Sequence, residues 1–189
     1  KKSYKEKKIV ACLIEKNVLK NNYQKNQSTK NKNLLLRKDF LFHLLKNIHN
    51  KSKIISTTGY TSRELLQIRK EKKLYKGNDF YMVGGMGHAS AVALGISINS
   101  KKQIVCLDGD GSILMHLGSL LTNGKIGNNN LKHILLNNNC HESVGGYKCS
   151  KLEPSYPGVF KIIKIEKNGK LGRVKLNCIK NTNQIKSLF

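Results

Sequence analysis

The chain lacks the features of a membrane-spanning or secreted protein. None of its apolar runs approaches the roughly 20 residues that a membrane helix needs, and no basic–apolar–small-residue leader opens it. Its five cysteines are odd in number, irregularly spaced and without a CxxC pair. We therefore expect neither a disulfide framework nor a thiolate zinc site, and we expect a cytoplasmic protein whose thiols stay reduced.

Arginine and acidic residues are scarce as well. Lysine and arginine number 35 against 11 acidic residues, a formal net charge of +24, and only four of the 35 are arginines (37, 63, 69 and 173), which leaves 31 lysines. Basic faces bind nucleic acids, but bidentate recognition of phosphates and bases favours arginine. The many lysines and 21 asparagines instead indicate the codon bias of an AT-rich genome. A nucleic-acid-binding module is therefore a distant alternative, and the charge is expected to attract anionic substrates.

The 189 residues are enough for one domain of ordinary size. Short apolar runs alternate along the chain with segments whose apolar residues have helical spacing. The runs predict strands at 54–55, 80–83, 103–107 and 131–136. The segments between them predict helices over 35–49, after an N-cap at Ser62, over 89–95 and over 114–121. Several strands are apolar without alternation, which is typical of strands buried on both faces. The pattern predicts an α/β fold: an open, mostly parallel sheet with helices on both faces.

The first 34 residues differ from the rest of the chain. A short apolar run over 9–14 predicts a buried strand, whereas residues 20–34 are polar, rich in lysine and asparagine, and aperiodic, which is typical of a linker. The strand is therefore either an edge strand or the remnant of another domain. We divide the chain into residues 1–19, a linker over 20–34, and one domain over 35–189.

Polar and glycine residues cluster where the predicted strands end. In an open α/β sheet the ligand lies at the carboxyl ends of the strands, so residues 57–59, 84–88, 109–112 and 137–141 are expected to line one edge.

The loop Gly109-Asp110-Gly111-Ser112 predicts an anion site that also holds a cation. Its two glycines let backbone amides approach a phosphate closely, and the helix start that follows favours one. The Asp110 carboxylate would repel a phosphate unless Mg²⁺ or Ca²⁺ lay between them. Twenty-five residues (112–136), enough for a helix and the next strand, separate Gly111 from Asn137-Asn138, which we expect to return to the same sheet edge beside Asp110. Such an asparagine is either a cation ligand or a turn former.

This spacing resembles the cofactor motif of the thiamine diphosphate-dependent 2-oxo acid decarboxylases. Three further segments, 56–65, 83–89 and 136–146, resemble the phosphonopyruvate decarboxylases, and the catalytic subunit of sulfopyruvate decarboxylase is similar in the same places. The resemblance covers about residues 35–148.

The resemblance implies a magnesium site. Asp110 would bind Mg²⁺ through a carboxylate oxygen, Asn138 through its side-chain oxygen and Cys140 through its backbone carbonyl. The run of three asparagines leaves a one-residue ambiguity, and we prefer Asn138 because His141-Glu142-Ser143 then falls in the family register.

The resemblance also implies a cofactor site for thiamine diphosphate. Gly111 and Ser112 would donate to the diphosphate, the Gly84 carbonyl would accept from the aminopyrimidine, and Met86 would wedge between the two rings. The full implied set is Thr57, Thr58, Gly59, Gly84, Gly85, Met86, His88, Gly109, Asp110, Gly111, Ser112, Asn138 and His141.

His88 and His141 are the candidates for proton transfer or for binding the anionic group of the substrate, and Glu142 is a weaker one. A histidine without a named partner is more often structural, and we assign the remaining four to the surface or the core: His43, His49, His116 and His133.

The implied reaction is decarboxylation of a small anionic 2-oxo acid, with the cofactor performing the difficult step. Phosphonopyruvate, which would give phosphonoacetaldehyde and CO₂, is the first expectation. A sulfopyruvate decarboxylase subunit and a non-catalytic remnant are the alternatives.

The chain departs from the family pattern at both ends. The glutamate that activates the cofactor belongs to a separate pyrimidine-binding domain, and residues 9–17 resemble the last strand of that domain. We therefore expect a fragment or subunit that needs a pyrimidine-binding partner, in a homo- or hetero-oligomer. After Gly146 only about ten residues precede 157–165, which resembles the final strand, and 171–173 resembles the tail beyond it. The sheet could therefore lack a C-terminal strand and helix.

Overall fold

The structure, a computed structural model, describes residues 34–74, 78–127, 129–166 and 176–186. The strand predicted over 9–14, nearly all of the linker over 20–34 and the tail over 171–173 lie outside these residues. The division into 1–19, 20–34 and 35–189 therefore stays a prediction.

Strands and helices alternate along the described chain. The strands are β1 (Leu35–Leu36), β2 (Lys53–Ser56), β3 (Asn78–Tyr81), β4 (Ile104–Gly109), β5 (Leu131–Asn137), β6 (Cys140–His141), β7 (Tyr147–Lys148) and β8 (Lys161–Glu166). The helices are α1 (Arg37–Asn47), α2 (Tyr60–Glu71), α3 (Ala89–Ile98), α4 (Asp110–Ile113), α5 (Gly118–Ile126) and α6 (Cys178–Lys186), with 3₁₀ turns at Leu114–His116 and Glu142–Val144.

Six strands form one sheet in the order β1-β8-β5-β4-β2-β3, and every neighbouring pair is parallel. All four residues of β2 and the first five of β4 are buried, because helices cover the sheet on both sides. The predicted fold class is confirmed.

The alternating side chains of the strands pack against different helices. Ile54, Val105 and Leu107 share a cluster with Leu41 and Leu45 of α1 and with Leu65 and Ile68 of α2. The intervening Ile55, Ile104 and Cys106 pack with Ala89, Ala93 and Ile96 of α3. Successive residues of a strand point to opposite faces, so α1 and α2 cover one face and α3 the other. None of these described helices has the length and apolar character to cross a membrane.

Polar side chains close the sheet at its β3 edge. The Asn181 side chain of α6 accepts from the Tyr81 backbone N–H (3.1 Å) and donates to the Tyr81 carbonyl (2.9 Å), as a neighbouring strand would. Inside this edge, the Arg69 guanidinium donates twice to Asp79, at 2.7 and 2.8 Å, and the Tyr81 hydroxyl donates to the same carboxylate. Asn181 therefore occupies the backbone groups of Tyr81 with which another strand could otherwise pair.

Three helix predictions differ in detail. Leu35 and Leu36 form β1 beside Ile165 and Glu166 rather than the first turn of a helix. The predicted N-cap at Ser62 is wrong: α2 begins at Tyr60, and the Ser62 hydroxyl donates to the Thr57 carbonyl (2.6 Å), which ties the helix to the end of β2. The helix predicted over 114–121 is divided into a 3₁₀ turn and α5.

The connection from β5 to β8 contains no α-helix over the described residues 138–160. It contains the short β6–β7 hairpin and then a loop, whose Leu152, Tyr156 and Val159 pack with Ile113 and Leu120 of α4 and α5. The following strand β8 pairs directly with β5. A loop therefore covers the sheet where a crossover helix would otherwise pack.

A matched pair of leucine substitutions tests this packing. Leu107 of β4 is fully buried and Leu121 of α5 is 66% exposed. We expect Leu107→Ala to lower the free energy of unfolding by about 2–5 kcal/mol, and Leu121→Ala to change it by less than about 0.5 kcal/mol. Urea denaturation followed by circular dichroism measures both. Equal losses would contradict the placement of the two side chains.

Candidate functional site

A cleft opens at the carboxyl ends of β2, β4, β5 and β8. The chain passes from β2 to β3 on one side of β2 and then returns to β4 on its other side. The loops after β2 and β4 therefore lead in opposite directions. Open α/β sheets bind ligands at such a topological switch point. The cleft covers about 460 Å³ of space between the atoms, part of which is open to solvent. Its lining residues are Arg37, Thr57–Thr61, Met86, Gly109–Ser112, Leu136, Asn138, Cys140–Ser143 and Ile165.

Most of the predicted site residues meet in this cleft, and three do not. Thr57, Thr58, Gly59, Met86, Gly109, Asp110, Gly111, Ser112, Asn138, Cys140 and His141 line it. Gly84, Gly85 and His88 do not. His88 is exposed, its ring centroid lies 4.0 Å from that of His116, and its Nδ1 lies 3.2 Å from the Gly85 carbonyl oxygen.

Asp110 is a buried carboxylate at the base of the cleft. Burial raises its pKa above the ordinary range, while backbone N–H groups of Gly111, Cys140 and Asn139 act in the opposite direction. Its Oδ2 accepts from the Cys140 N–H at 3.1 Å, and Asn138 Oδ1 accepts from the same N–H at 3.2 Å. A carboxylate oxygen and an amide oxygen thus lie beside the same N–H group, and both are oxygen ligands of the kind that Mg²⁺ takes. The residues fit the predicted cation.

The three successive asparagines have different roles. Asn138 lines the cleft. Both Asn137 and Asn138 make the turn-forming contact of an asparagine: Asn137 Oδ1 accepts from the Asn139 backbone N–H at 2.9 Å, and Asn138 Oδ1 accepts from the Cys140 N–H. Asn139 has a φ of +56°, a left-handed conformation that asparagine tolerates. The turn brings Cys140 back to Asp110, while a ligand role for the Cys140 carbonyl stays a prediction.

Ser112 joins three loops of the site. Its hydroxyl lies 2.7 Å from Thr57 Oγ1 and accepts from the Gly87 N–H at 3.0 Å. Gly87 has a φ of +89°, and a Cβ on it would lie 2.9 Å from the Met115 Cβ, so only glycine suits this contact. The loop after β3 is therefore held against the start of α4, and it presents Met86 to the cleft.

His141 packs on the loop that carries Asp110. A Cβ on Gly111 would lie 2.4 Å from His141 Nδ1, so the missing side chain of Gly111 makes room for the imidazole ring. Of the two histidines predicted to be functional, His141 is the one that lines the cleft.

Arg37 is a site residue that the sequence analysis missed. It is 3% exposed, and its guanidinium pairs with Glu142 and with Glu64, the latter at 3.5 Å. Glu142, a weak candidate for proton transfer, is occupied by Arg37 and by the Asn138 amide, which donates to it at 2.8 Å. The scarcity of arginine is the sequence signal that could have identified Arg37. Two of only four arginines, Arg37 and Arg69, lie buried against carboxylates, where a planar guanidinium suits better than lysine.

A second group of ligand-type side chains lies within the sheet. Cys106, Asp108 and His133 each place one potential ligand atom within 4.8 Å of the others, and Asp108 Oδ2 lies 3.5 Å from His133 Nε2. These ligand types suit a softer metal than the magnesium predicted for the cleft. Burial raises the pKa of the Cys106 thiol well above its usual value, so we interpret the group as a buried acid–histidine pair beside a protonated thiol. His133 is thus a core residue.

Comparison with known proteins confirms the family resemblance. Residues 57–168, more than half of the chain, match the family described as thiamine pyrophosphate enzyme, C-terminal TPP binding domain. Every residue that lines the cleft except Arg37 falls within this stretch.

Its curated relatives are decarboxylases and decarboxylase subunits. A phosphonopyruvate decarboxylase of Streptomyces viridochromogenes is 40% identical over 119 residues, which are 63% of this chain and 29% of that protein. A sulfopyruvate decarboxylase subunit beta of Methanocaldococcus jannaschii is 36% identical over 112 residues, 59% of this chain and 57% of that subunit. The chain therefore spans less than a third of the first relative and little more than half of the second.

A glycine pair tests the geometry around His141. We expect Gly111→Ala to displace the imidazole ring and to lower the free energy of unfolding by about 1–3 kcal/mol, the usual cost of overpacking. Gly109→Ala is the control, because its Cβ would meet no atom within 4 Å and its φ of −114° suits any residue. Urea denaturation and the His141 ring resonances in NMR spectra measure both effects. A Gly111→Ala protein whose His141 resonances do not shift would contradict the close contact.

Proposed function

The chain belongs to the thiamine pyrophosphate enzymes, of which it carries the C-terminal TPP binding domain, and on that premise we propose that it serves the decarboxylation of a small anionic 2-oxo acid. The observation that carries the proposal is the convergence of Asp110 Oδ2 and Asn138 Oδ1 on one backbone N–H in the switch-point cleft. Thiamine diphosphate bound through Mg²⁺ would place its diphosphate beside these oxygens.

Each part of the cleft has a task in this proposal. Asp110, Asn138 and the Cys140 carbonyl would hold Mg²⁺. The charge of the ion would offset the free-energy cost of burying the Asp110 carboxylate. The backbone of Gly109–Ser112 and the residues Thr57–Gly59 would bind the diphosphate. Met86, held by the Gly87–Ser112 contact, would wedge between the two rings of the cofactor.

When bound, the cofactor supplies an electron sink for the carbon–carbon bond that breaks as CO₂ leaves. His141, on the wall of the cleft, would hold or move a proton there or contact the anionic group of the substrate. His88, Gly84 and Gly85 lie outside the cleft of this chain, and their proposed roles require a cofactor that extends beyond it.

We propose phosphonopyruvate as the substrate, with phosphonoacetaldehyde and CO₂ as products. The support is the similarity to phosphonopyruvate decarboxylases. Sulfopyruvate is the second candidate, because the chain is similar to sulfopyruvate decarboxylase beta subunits to a comparable degree. Both names denote pyruvate with an added anionic group, and the net charge of +24 favours attraction of such substrates.

A partner that supplies a pyrimidine-binding domain completes the proposal. One group of relatives is named as beta subunits, so those proteins assemble with another subunit. We propose a homo- or hetero-oligomer in the cytoplasm, in which the partner provides the glutamate that activates the cofactor.

The cofactor site is tested by calorimetric titration with thiamine diphosphate, with and without Mg²⁺. We expect binding that requires the metal, and we expect Asp110→Ala to weaken it at least about 100-fold, because losing a ligand should exceed the 10–100-fold loss typical of residues that only orient ligands. Asp39→Ala, which removes an exposed carboxylate from α1, is the matched control. Equal affinity in the Asp110→Ala and unaltered proteins would refute the magnesium site.

The activity is tested after adding a pyrimidine-binding domain from a relative. We expect release of CO₂ from phosphonopyruvate, with sulfopyruvate as the competing substrate in a parallel assay. Metal-dependent cofactor binding without turnover of either compound would favour a non-catalytic binding domain. Salt-dependent binding to unrelated oligonucleotides in place of cofactor would favour the nucleic-acid alternative.

A further inference from the structure

The Asn138 side chain has two nearly identical ends with opposite chemistry. Its oxygen can bind a cation, whereas its NH₂ group carries partial positive charge and would repel one. The two ends differ little in size, so a half-turn of the amide would exchange them without a steric penalty. A cation site built on Asn138 therefore needs a neighbour that distinguishes the oxygen from the nitrogen.

Glu142 is that neighbour. Its Oε2 accepts from Asn138 Nδ2 at 2.8 Å, and an ionised carboxylate offers acceptors alone. The NH₂ group must therefore face Glu142, and Oδ1 must face the other way. On that other side, Asn138 Oδ1 and Asp110 Oδ2 both accept from the Cys140 N–H. The contact with Glu142 turns the oxygen toward the carboxylate with which it would share a cation.

Arg37 holds Glu142 in place. Its Nη2 donates to the same Oε2 that accepts from Asn138, and its Nη1 lies 3.5 Å from Glu64. The side chains of all three charged residues are at most 9% exposed. Buried guanidinium–carboxylate contacts are short and directional, and exchanging them for water is costly once the groups are enclosed. Arg37 on α1 and Glu64 on α2 therefore anchor Glu142 to the helical layer.

We propose that Glu142 is a positioning residue for the metal site: held by Arg37, it selects the orientation of the Asn138 amide in which Oδ1 faces Asp110. The inference rests on the proposed function, because it assigns a role toward Mg²⁺. It also gives a role to the charged network of Arg37, Glu64 and Glu142 that is buried beside the cleft.

The first test measures Mg²⁺ affinity calorimetrically in the presence of excess thiamine diphosphate. Glu142→Gln keeps the size of the side chain but adds a donor, so residue 142 no longer excludes the flipped amide, which the Cys140 N–H alone then disfavours. We expect its Mg²⁺ affinity to fall about 10–100-fold, the usual effect of changing a group that orients a metal ligand. Glu71→Gln on the exposed end of α2 is the matched control, with unchanged affinity expected.

Exchanging the amide and the carboxylate between positions 138 and 142 separates an effect on the orientation of residue 138 from a simple loss of charge. Asn138→Asp alone places two carboxylates together and should weaken Mg²⁺ binding. The double variant Asn138→Asp, Glu142→Gln restores one donor–acceptor pair with the roles reversed and keeps the total charge of the wild type. We expect it to recover most of the affinity lost by either single variant, whereas a merely structural Glu142 predicts additive losses, which would overturn the proposal.

A measurement without ligands distinguishes this inference from the proposed function. The side-chain NH₂ signal of Asn138, assigned by its loss in Asn138→Asp, should move in the NMR spectrum of Glu142→Gln and stay in place in Glu71→Gln. A signal that does not respond overturns the positioning contact, whatever the chain binds. Absence of any metal-dependent binding in the wild type overturns the proposed function. Equal Mg²⁺ affinity in the wild type and Glu142→Gln overturns this inference and leaves the proposed function standing.

Discussion

A carboxylate buried at the carboxyl edge of the sheet, that of Asp110, is the constraint on which the arrangement of the site depends. Burial disfavours its charge, and the surrounding chain compensates with backbone N–H groups from two separate loops. The Gly109–Ser112 loop can supply its own amides, but the Cys140 amide arrives from the end of β5. The β4–β5 pairing and the asparagine turn are therefore prerequisites of this environment.

Side-chain contacts between loops keep this edge in one arrangement. The Ser112 hydroxyl links the ends of β2 and β4 to the loop after β3, while Arg37 links the first two helices to the loop after β5. Lysine and arginine occupy different kinds of position in this chain for a chemical reason. Lysine carries most of the positive charge of the chain, and arginine occupies the two buried positions, 37 and 69, that pair with carboxylates in the described residues, where its planar group can donate to two acceptors at once.

The fold was largely predictable because its signals are local. Apolar runs without alternation identified the buried strands, and the order of strand, loop and helix identified a parallel α/β sheet. Boundaries that depend on tertiary contacts were not predictable. Leu35 and Leu36 fit the apolar spacing of a helix, but they form a strand because β8 offers an open edge beside them. Ser62 fits a helix cap, yet its hydroxyl is satisfied by the end of β2, and the helix starts earlier.

The fold class, the family and the loop that carries Asp110 could all be identified from the residues alone, because glycine, aspartate and asparagine at this spacing are tied to particular chemistry. Only the folded arrangement showed that His141 lines the cleft and His88 does not, and that Arg37 belongs to the site. Arg37 and Glu142 are 105 positions apart in the chain. Their contact depends on how helix, strand and loop pack together, and no local pattern of residues records that packing.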